Sequence, residues 1–153
     1  MLRKARVQTL VDVRRYPGSR RNPQFNQRDF AATLAEAGIR YRHVEALGGR
    51  LRNEPSEERF ACIRTPAFRS YAARMRTPEW QAALASALDE PARCFLCAET
   101  NWRRCHRKLI SELLVARGHE VLHLLPTGIE GHRLSDDADA RDGRLYLCGE
   151  LVA

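Results

Sequence analysis

Two polar stretches of this 153-residue chain gather side chains that could do chemistry. The first is Cys97-Ala-Glu-Thr-Asn-Trp-Arg-Arg-Cys-His-Arg107, which sets a thiol, an imidazole and a guanidinium side by side at Cys105, His106 and Arg107. An apolar run, Cys94-Phe-Leu-Cys97, gives way to an acid at Glu99, and helical spacing begins at Cys105. That order reads as a strand, a polar loop and a helix start. The first turn of a helix offers unpaired backbone N–H groups and the positive end of the helix dipole. An anion or a thiolate is stabilised in such a place. The second stretch, Asp12-Val-Arg-Arg-Tyr-Pro-Gly-Ser-Arg-Arg21, carries Asp12, Arg14, Ser19, Arg20 and Arg21. Arginine forks around phosphate and carboxylate better than lysine does.

Each residue has a chemical and a structural reading. Cys105 is the candidate nucleophile, its thiol pKa lowered by the dipole and the neighbouring positive charge. Its structural reading is a small buried residue that closes the loop onto a sheet. His106 and Glu99 are candidates for proton transfer. Glu99 would otherwise hold Arg14 or Arg107 in a structural ion pair. Asp12 has the same two readings, the structural one being a cap on the turn after its strand. Arg14, Arg20, Arg21 and Arg107, with the Ser19 hydroxyl, are the expected anion ligands; a solvated basic loop is the competing reading.

Weaker patterns are present as well. Cys97 and Arg103 fit a phosphatase-like Cys-x5-Arg spacing, but no glycine lies between them to shape a cradle of N–H groups. Cys97, Cys105 and His106 do not match a standard zinc pattern, and adjacent ligands bind one ion awkwardly, so no metal and no cofactor is expected. Trp102 could stack on a base or simply pack. Tyr41 and His43 read as strand packing, and Gly48-Gly49 as a tight backbone path.

The elements that must position these residues follow from periodicity and punctuation. Thr9 to Val13 reads as a buried strand, followed by a loop rich in turn formers. Asn26 caps a helix with Asp29 as its partner, Phe30, Leu34 and Ala37 share its inner face, and Gly38 ends it. Ile39, Tyr41 and His43 alternate with Arg40 and Arg42 as a second strand. Residues 51–65 are polar and irregular, and Pro66 to Met75 reads as a short helix. Thr77-Pro78-Glu79 starts another helix, with Trp80, Leu84 and Leu88 inward. Arg93 to Ala98 is a strand, Cys105 to Arg117 a helix closed by Gly118, and Glu120 to Leu125 a further strand. After Pro126 the chain reads as loop, with an acidic cluster at Asp136, Asp137 and Asp139 and a final short strand from Leu145 to Cys148.

Alternating strands and helices predict an α/β layered fold with a mostly parallel sheet. Ligands in such sheets bind beyond the carboxyl ends of the strands. Both polar stretches leave strand ends, so the sequence predicts that they converge on one crevice. The length fits a single domain over residues 1–153.

Composition narrows the classes. There is no apolar run long enough for a membrane span, and the first residues, Met-Leu-Arg-Lys-Ala-Arg, do not form a secretory signal. Five cysteines are an odd number without a secreted framework, so a cytoplasmic location is expected and disulfides are not. The formal net charge of +7 is uneven: residues 1–52 hold 12 Arg or Lys against 4 acids. Arginine supplies 24 of the 26 basic residues. Charge of this kind suits a phosphate-bearing partner, either a small molecule or nucleic acid, although a GC-rich coding bias would also produce it.

The same two stretches carry a resemblance to a known family. Asp12-Val-Arg with Pro17 and Ser19-Arg20 resembles the "DVR, then P and SR" motif of the domain-of-unknown-function 488 family, and Cys97-Ala-Glu99 with Cys105-His-Arg107 resembles its "CAE … CHR" motif. Gly38-Ile-Arg-Tyr-Arg-His43, Leu47-Gly-Gly-Arg50 and Tyr71-Ala-Ala-Arg-Met75 agree with it between. The resemblance runs from about residue 8 to 146 and implies an α/β sandwich of three layers, without a settled activity. Members of that family usually open with a strand ending in a "TIGHS"-like motif and then a helix. Relative to them this chain is expected to be short at its N-terminus, leaving a sheet edge through which copies could associate.

Three functions compete. The first is an enzyme on a phosphorylated or nucleotide-like substrate, with arginines on the anion and Cys105, His106 or Glu99 in the chemistry. The second is a nucleic-acid-binding module without catalysis. The third is a thiol redox or sulfur-transfer protein.

Overall fold

The structure, a computed structural model, describes residues 1–49 and 58–153. Arg50 and the first part of the irregular stretch 51–65 lie outside the described residues. The chain packs as two compact units, residues 1–48 with 81–98 and residues 49–80 with 99–153. Its mixed helices and strands make it an α/β protein.

The first unit is built on a parallel sheet of three strands, β1 (Thr9–Asp12), β2 (Arg40–His43) and β3 (Arg93–Leu96). Their order is β2-β1-β3, with Thr9 opposite Arg40 and Arg93. All four residues of the central strand are buried, as a strand flanked on both sides must be. Helix α1 (Gln27–Glu36) connects β1 to β2. It packs Leu34 with Leu10 and Ile39 in a core joined by Phe30, Ala37, Tyr41, Cys94 and Leu96. Asn26 is the N-cap residue as predicted, but its side chain makes no cap bond. Its Oδ1 accepts the backbone N–H of Ser19 instead, at 2.7 Å. The C-terminal end follows the sequence reading. Gly38 takes φ +72°, its N–H reaches Ala35 O, and Ile39 N–H reaches Leu34 O. The two crossed bonds satisfy the last carbonyls of the helix.

Pro66–Met75 forms α2 and Pro78–Leu88 forms α3. Thr77 Oγ1 accepts the Trp80 N–H at 3.3 Å, the side-chain cap expected ahead of an N1 proline.

In the second unit, α4 (Arg107–Ala116) is the main buried element, with Leu109, Ile110, Leu113 and Leu114 all buried. The helix begins two residues later than the periodicity implied. Trp102–Arg104 form a 3-10 turn whose carbonyl at Trp102 takes the Cys105 N–H at 3.1 Å. That bond leaves Cys105 extended (φ −114°, ψ 148°) ahead of the helix, with His106 at the N-cap.

The strands expected over Glu120 to Leu125 and Leu145 to Cys148 are present as Leu122–Leu125 and Arg144–Leu147, but the stretch after Pro126, expected as loop, is largely sheet. Leu122–Leu125 (β4) and Gly128–Gly131 (β5) form an antiparallel hairpin. Ala138–Arg141 (β6), Arg144–Leu147 (β7) and Glu150–Leu151 (β8) form an antiparallel meander. Among the described residues the parallel sheet therefore holds three strands, and the other five belong to two small antiparallel sheets. Both meander turns are two-residue turns with positive φ throughout, Asp142-Gly143 (51°, 73°) and Cys148-Gly149 (57°, 78°). That backbone matches the twist of paired strands.

The unit also holds a disulfide, Cys62–Cys148, across 86 residues of sequence. This corrects the expectation that the cysteines stay unpaired. The bond joins the segment ahead of α2 to a meander turn, a pairing that cysteine spacing alone does not reveal. No helix among the described residues is long and apolar enough to cross a membrane.

Candidate functional site

The two stretches singled out by their residue types fall in different units, Asp12 to Arg21 in the first and Glu99 to Arg107 in the second.

At the end of β1, Asp12 is fully buried and Arg14 is 8% exposed. The Arg14 backbone N–H donates to Asp12 Oδ1 at 3.0 Å, so the carboxylate caps its own turn. The guanidinium then folds back onto the same carboxylate. Its Nε donates to both oxygens at 2.9 Å and its Nη2 to Oδ2 at 2.5 Å. The Nη1 group donates to Phe25 O at 2.9 Å, and Tyr41 Oη donates to Asp12 Oδ2 at 2.6 Å. Burial works against the Arg14 charge, but the Asp12 carboxylate outweighs it and holds the guanidinium above its usual pKa. Burial and the same carboxylate both push the Tyr41 phenol well above its ordinary pKa. His43 Nε2 lies 2.8 Å from Arg14 O. Asp12 and Arg14 thus satisfy each other and fasten the loop to the strand.

The rest of that loop is more open. The Ser19 hydroxyl accepts the Asn22 N–H at 3.0 Å. Arg20 and Arg21 are exposed, and neither has an ion pair among the described residues.

In the second unit, the turn before α4 holds Cys105 with 2% exposure. Arg107 Nε donates to Cys105 Sγ at 3.4 Å, and His106 Nδ1 lies 3.6 Å from the same sulfur. Arg107 Nη2 donates to the Glu99 carbonyl. Glu99 thus orients Arg107 through its backbone; its carboxylate is exposed and forms no ion pair among the described residues. His106 is 8% exposed and its Nε2 has no hydrogen-bond partner there. The ring is fixed by packing. Its centroid is 5.0 Å from that of Tyr71, whose hydroxyl in turn accepts the Trp80 Nε1–H at 3.2 Å. On another side lies Gly49, where a Cβ would fall 2.6 Å from His106 Nδ1. A Cβ at Gly48 would fall 2.9 Å from Arg15 Cα and Glu45 O. The Gly48-Gly49 pair is therefore a tight path, as its sequence suggested, and its second glycine lets the imidazole sit against backbone.

The arrangement suits a thiolate. A guanidinium N–H donates to sulfur and an imidazole nitrogen stands within reach of the thiol proton. The helix dipole contributes less than the sequence implied, because Cys105 stands outside the first turn.

Sequence reasoning missed a second group in this unit. His123 on β4 and His132 just after β5 hydrogen-bond, Nε2 to Nδ1, at 3.0 Å. His123 stacks on Trp102 with centroids 3.8 Å apart and planes within 5°, so Trp102 is packing rather than an open stacking platform. Arg103 covers the other face at 4.3 Å and pairs with Glu130. His132 Nε2 is 3.4 Å from Glu112 Oε2, at ion-pair distance but without hydrogen-bond alignment. Glu112 is fully buried. Burial would raise its pKa, but His132, Ser135 and Lys108 together hold it below the usual carboxylate value. Burial, with the nearby charges of His132 and Arg107, pushes His123 down to about 4. A hairpin turn at Pro126-Thr127 was the signal that would have brought the two histidines together.

Among known families, the model described as Domain of unknown function DUF488 matches residues 1–114. No curated protein and no solved structure matches the chain.

Proposed function

The chain belongs to the family of Domain of unknown function DUF488, and we propose that it is a thiol-dependent enzyme acting on an anionic, phosphate-bearing or nucleotide-like substrate. The observation that carries this reading is the contact of Arg107 Nε with Cys105 Sγ, with His106 Nδ1 at 3.6 Å. In the proposed mechanism the thiol proton passes to His106 Nδ1. The sulfur, with the Arg107 N–H on it, would then bond to an electrophilic centre of the substrate as the bond from that centre to its leaving group breaks, and the leaving group would take the proton from His106. Gly49, Tyr71 and Trp80 keep the imidazole in place, and the Glu99 carbonyl keeps the guanidinium in place. A substrate anion would share the Arg107 guanidinium with the sulfur.

Competition tests the reading. Inorganic phosphate at constant ionic strength should slow carboxymethylation of Cys105 by iodoacetate, and Arg107→Ala should remove that protection. Modification of Cys105 at an unchanged rate with phosphate present would reject it.

A second reading, nucleic-acid binding without catalysis, is favoured by the unpaired, exposed Arg20 and Arg21 beside Ser19. It predicts affinity that falls steeply with salt, and Arg20→Ala with Arg21→Ala should reduce the salt slope by about two. A salt-independent affinity would reject it. The proposal extends to a three-layer sandwich about the parallel sheet and to association of copies through β2 or β3, each of which pairs with one strand among the described residues.

A further inference from the structure

The loop between β1 and α1, in the first unit, combines open aromatic rings with arginines that lack acidic partners. Tyr16 is 56% exposed and Phe25 45%. Residues 13–35 contain five arginines and one acid, Asp29. Two of the five are paired, Arg14 with Asp12 and Arg15 with Glu45. Arg20, Arg21 and Arg28 are exposed and have no ion pair among the described residues. We propose that this loop binds single-stranded nucleic acid, with bases stacked on Tyr16 and Phe25 and phosphates held by Arg20, Arg21 and Arg28. It rests on the nucleic-acid reading given above and narrows that reading to single strands gripped by two rings.

The backbone of the loop is fastened while these side chains stay open. The Arg14 guanidinium, locked on buried Asp12, donates from Nη1 to Phe25 O at 2.9 Å. The Gln27 N–H donates to Pro17 O at 2.9 Å, and the Ser19 N–H to Asn26 Oδ1 at 2.7 Å. These bonds tie the limb that carries Tyr16 to the limb that carries Phe25. A loop already ordered loses less freedom when it binds. Phe25 rests on Phe30, with centroids 5.4 Å apart and planes at 77°. An edge-to-face contact of that kind uses at most one face of the Phe25 ring, which leaves the other to a base. Tyr16 has no side-chain hydrogen bond or ring contact among the described residues. Arg28 does not serve its helix either, because a cation in the first turn of α1 opposes the dipole.

Open rings beside unpaired arginines fit a polyanion that has flat faces of its own. Inside a duplex the base faces are stacked on one another; in a single strand they are available. Stacking and phosphate contacts read neither sequence nor sugar, so DNA serves as a probe for RNA as well. An anionic membrane surface also attracts arginine and aromatic residues, but it takes a broad apolar face. Residues 17–24, between the two rings, supply no large apolar side chain to such a face.

Fluorescence anisotropy of a labelled oligothymidylate of about 12 nucleotides, titrated with the full chain at fixed salt, tests the proposal. The single strand should bind about tenfold more tightly than its duplex with oligoadenylate. Tyr16→Ala and Phe25→Ala should each weaken the single strand by about fivefold or more, while Tyr16→Phe and Phe25→Trp keep most of the affinity. Both positions are exposed, so an unchanged melting temperature verifies that the fold is retained. Tyr16→Trp adds a signal of the stacking itself. Its fluorescence should be quenched by oligothymidylate, since Trp80 and Trp102 are buried away from the strand. Arg28→Ala should lower the salt slope by about one. Equal affinity for single strand and duplex, lost with Arg20→Ala and Arg21→Ala but unmoved by Tyr16→Ala and Phe25→Ala, would overturn the stacking site and leave the electrostatic reading standing. Absence of binding to either form would overturn both. Phosphatidylserine vesicles that displace the oligonucleotide, and that bind less well after Tyr16→Ala, would overturn it in favour of a membrane surface.

Discussion

A Cβ atom placed on Gly49 would lie 2.6 Å from His106 Nδ1, closer than side chains pack. The glycine and the histidine are 57 positions apart in the chain, yet each fixes what the other can be. Gly49→Ala should force the imidazole away from Cys105 Sγ, at a cost of about 1–3 kcal/mol for overpacking a buried site. Urea denaturation would read the loss of stability. A parallel loss of Cys105 reactivity would separate this from general weakening, since Gly38→Ala strains a helix end without touching the site.

The Asp12–Arg14 pair should behave as structure. Both groups are buried and each satisfies the other. Asp12→Ala leaves a buried guanidinium without its partner, and should cost about 3–5 kcal/mol. Chemical denaturation checks this directly. If Asp12→Ala unfolds at the same urea concentration as the natural chain, the pair contributes nothing to the fold.

Acid should weaken the protein in two steps. His123 is pushed down to about 4 from 6.5, chiefly by burial. Between those values the unfolded chain binds a proton that the folded chain refuses, so stability falls as pH drops from about 6.5 to about 4. Glu112, held below its ordinary 4.5 despite its burial, adds a further loss as pH falls through its lowered pKa. Thermal melts from pH 7 to pH 4 should show the first step, and His123→Phe, which keeps an aromatic ring against Trp102, should flatten it.

The disulfide gives a further expectation. Closing 86 residues between Cys62 and Cys148 should be worth about 4 kcal/mol through its restriction of the unfolded chain. Reduction with dithiothreitol should lower the urea midpoint by a corresponding amount, and Cys62→Ser should reproduce the shift. Equal midpoints with and without reductant would mean that the bond contributes nothing.

Much of the first unit was legible because its signals are local. Thr9 to Asp12 centres on the β-forming pair Leu10-Val11, Arg40 to His43 alternates, and Gly38 closes its helix at φ +72°. The second unit was harder for three reasons. The 3-10 turn at Trp102–Arg104 takes the Cys105 N–H, which periodicity cannot register. The Asp142-Gly143 turn was a readable hairpin signal, but the acidic residues ahead of it hid β6. The partners of the imidazoles are distant in sequence: Gly49 for His106, and Glu112 for His132. Cys105, His106 and Arg107 stand out because a thiol, an imidazole and a guanidinium are adjacent in sequence; that they touch depends on the extended backbone of Cys105 ahead of the helix. Glu112 carries no sequence signal of its burial, since a lone acid beside Leu113 resembles an exposed position.

The rate at which Cys105 is alkylated, followed residue by residue by mass spectrometry across pH, tests the central claim most directly. A thiolate held by Arg107 and His106 predicts that Cys105 reacts with iodoacetamide below pH 7 faster than Cys94 and Cys97. Arg107→Ala should slow it at least tenfold, and Arg107→Lys should restore part of the rate. Cys105 reacting no faster than the other two, or at the same rate after Arg107→Ala, would contradict the account.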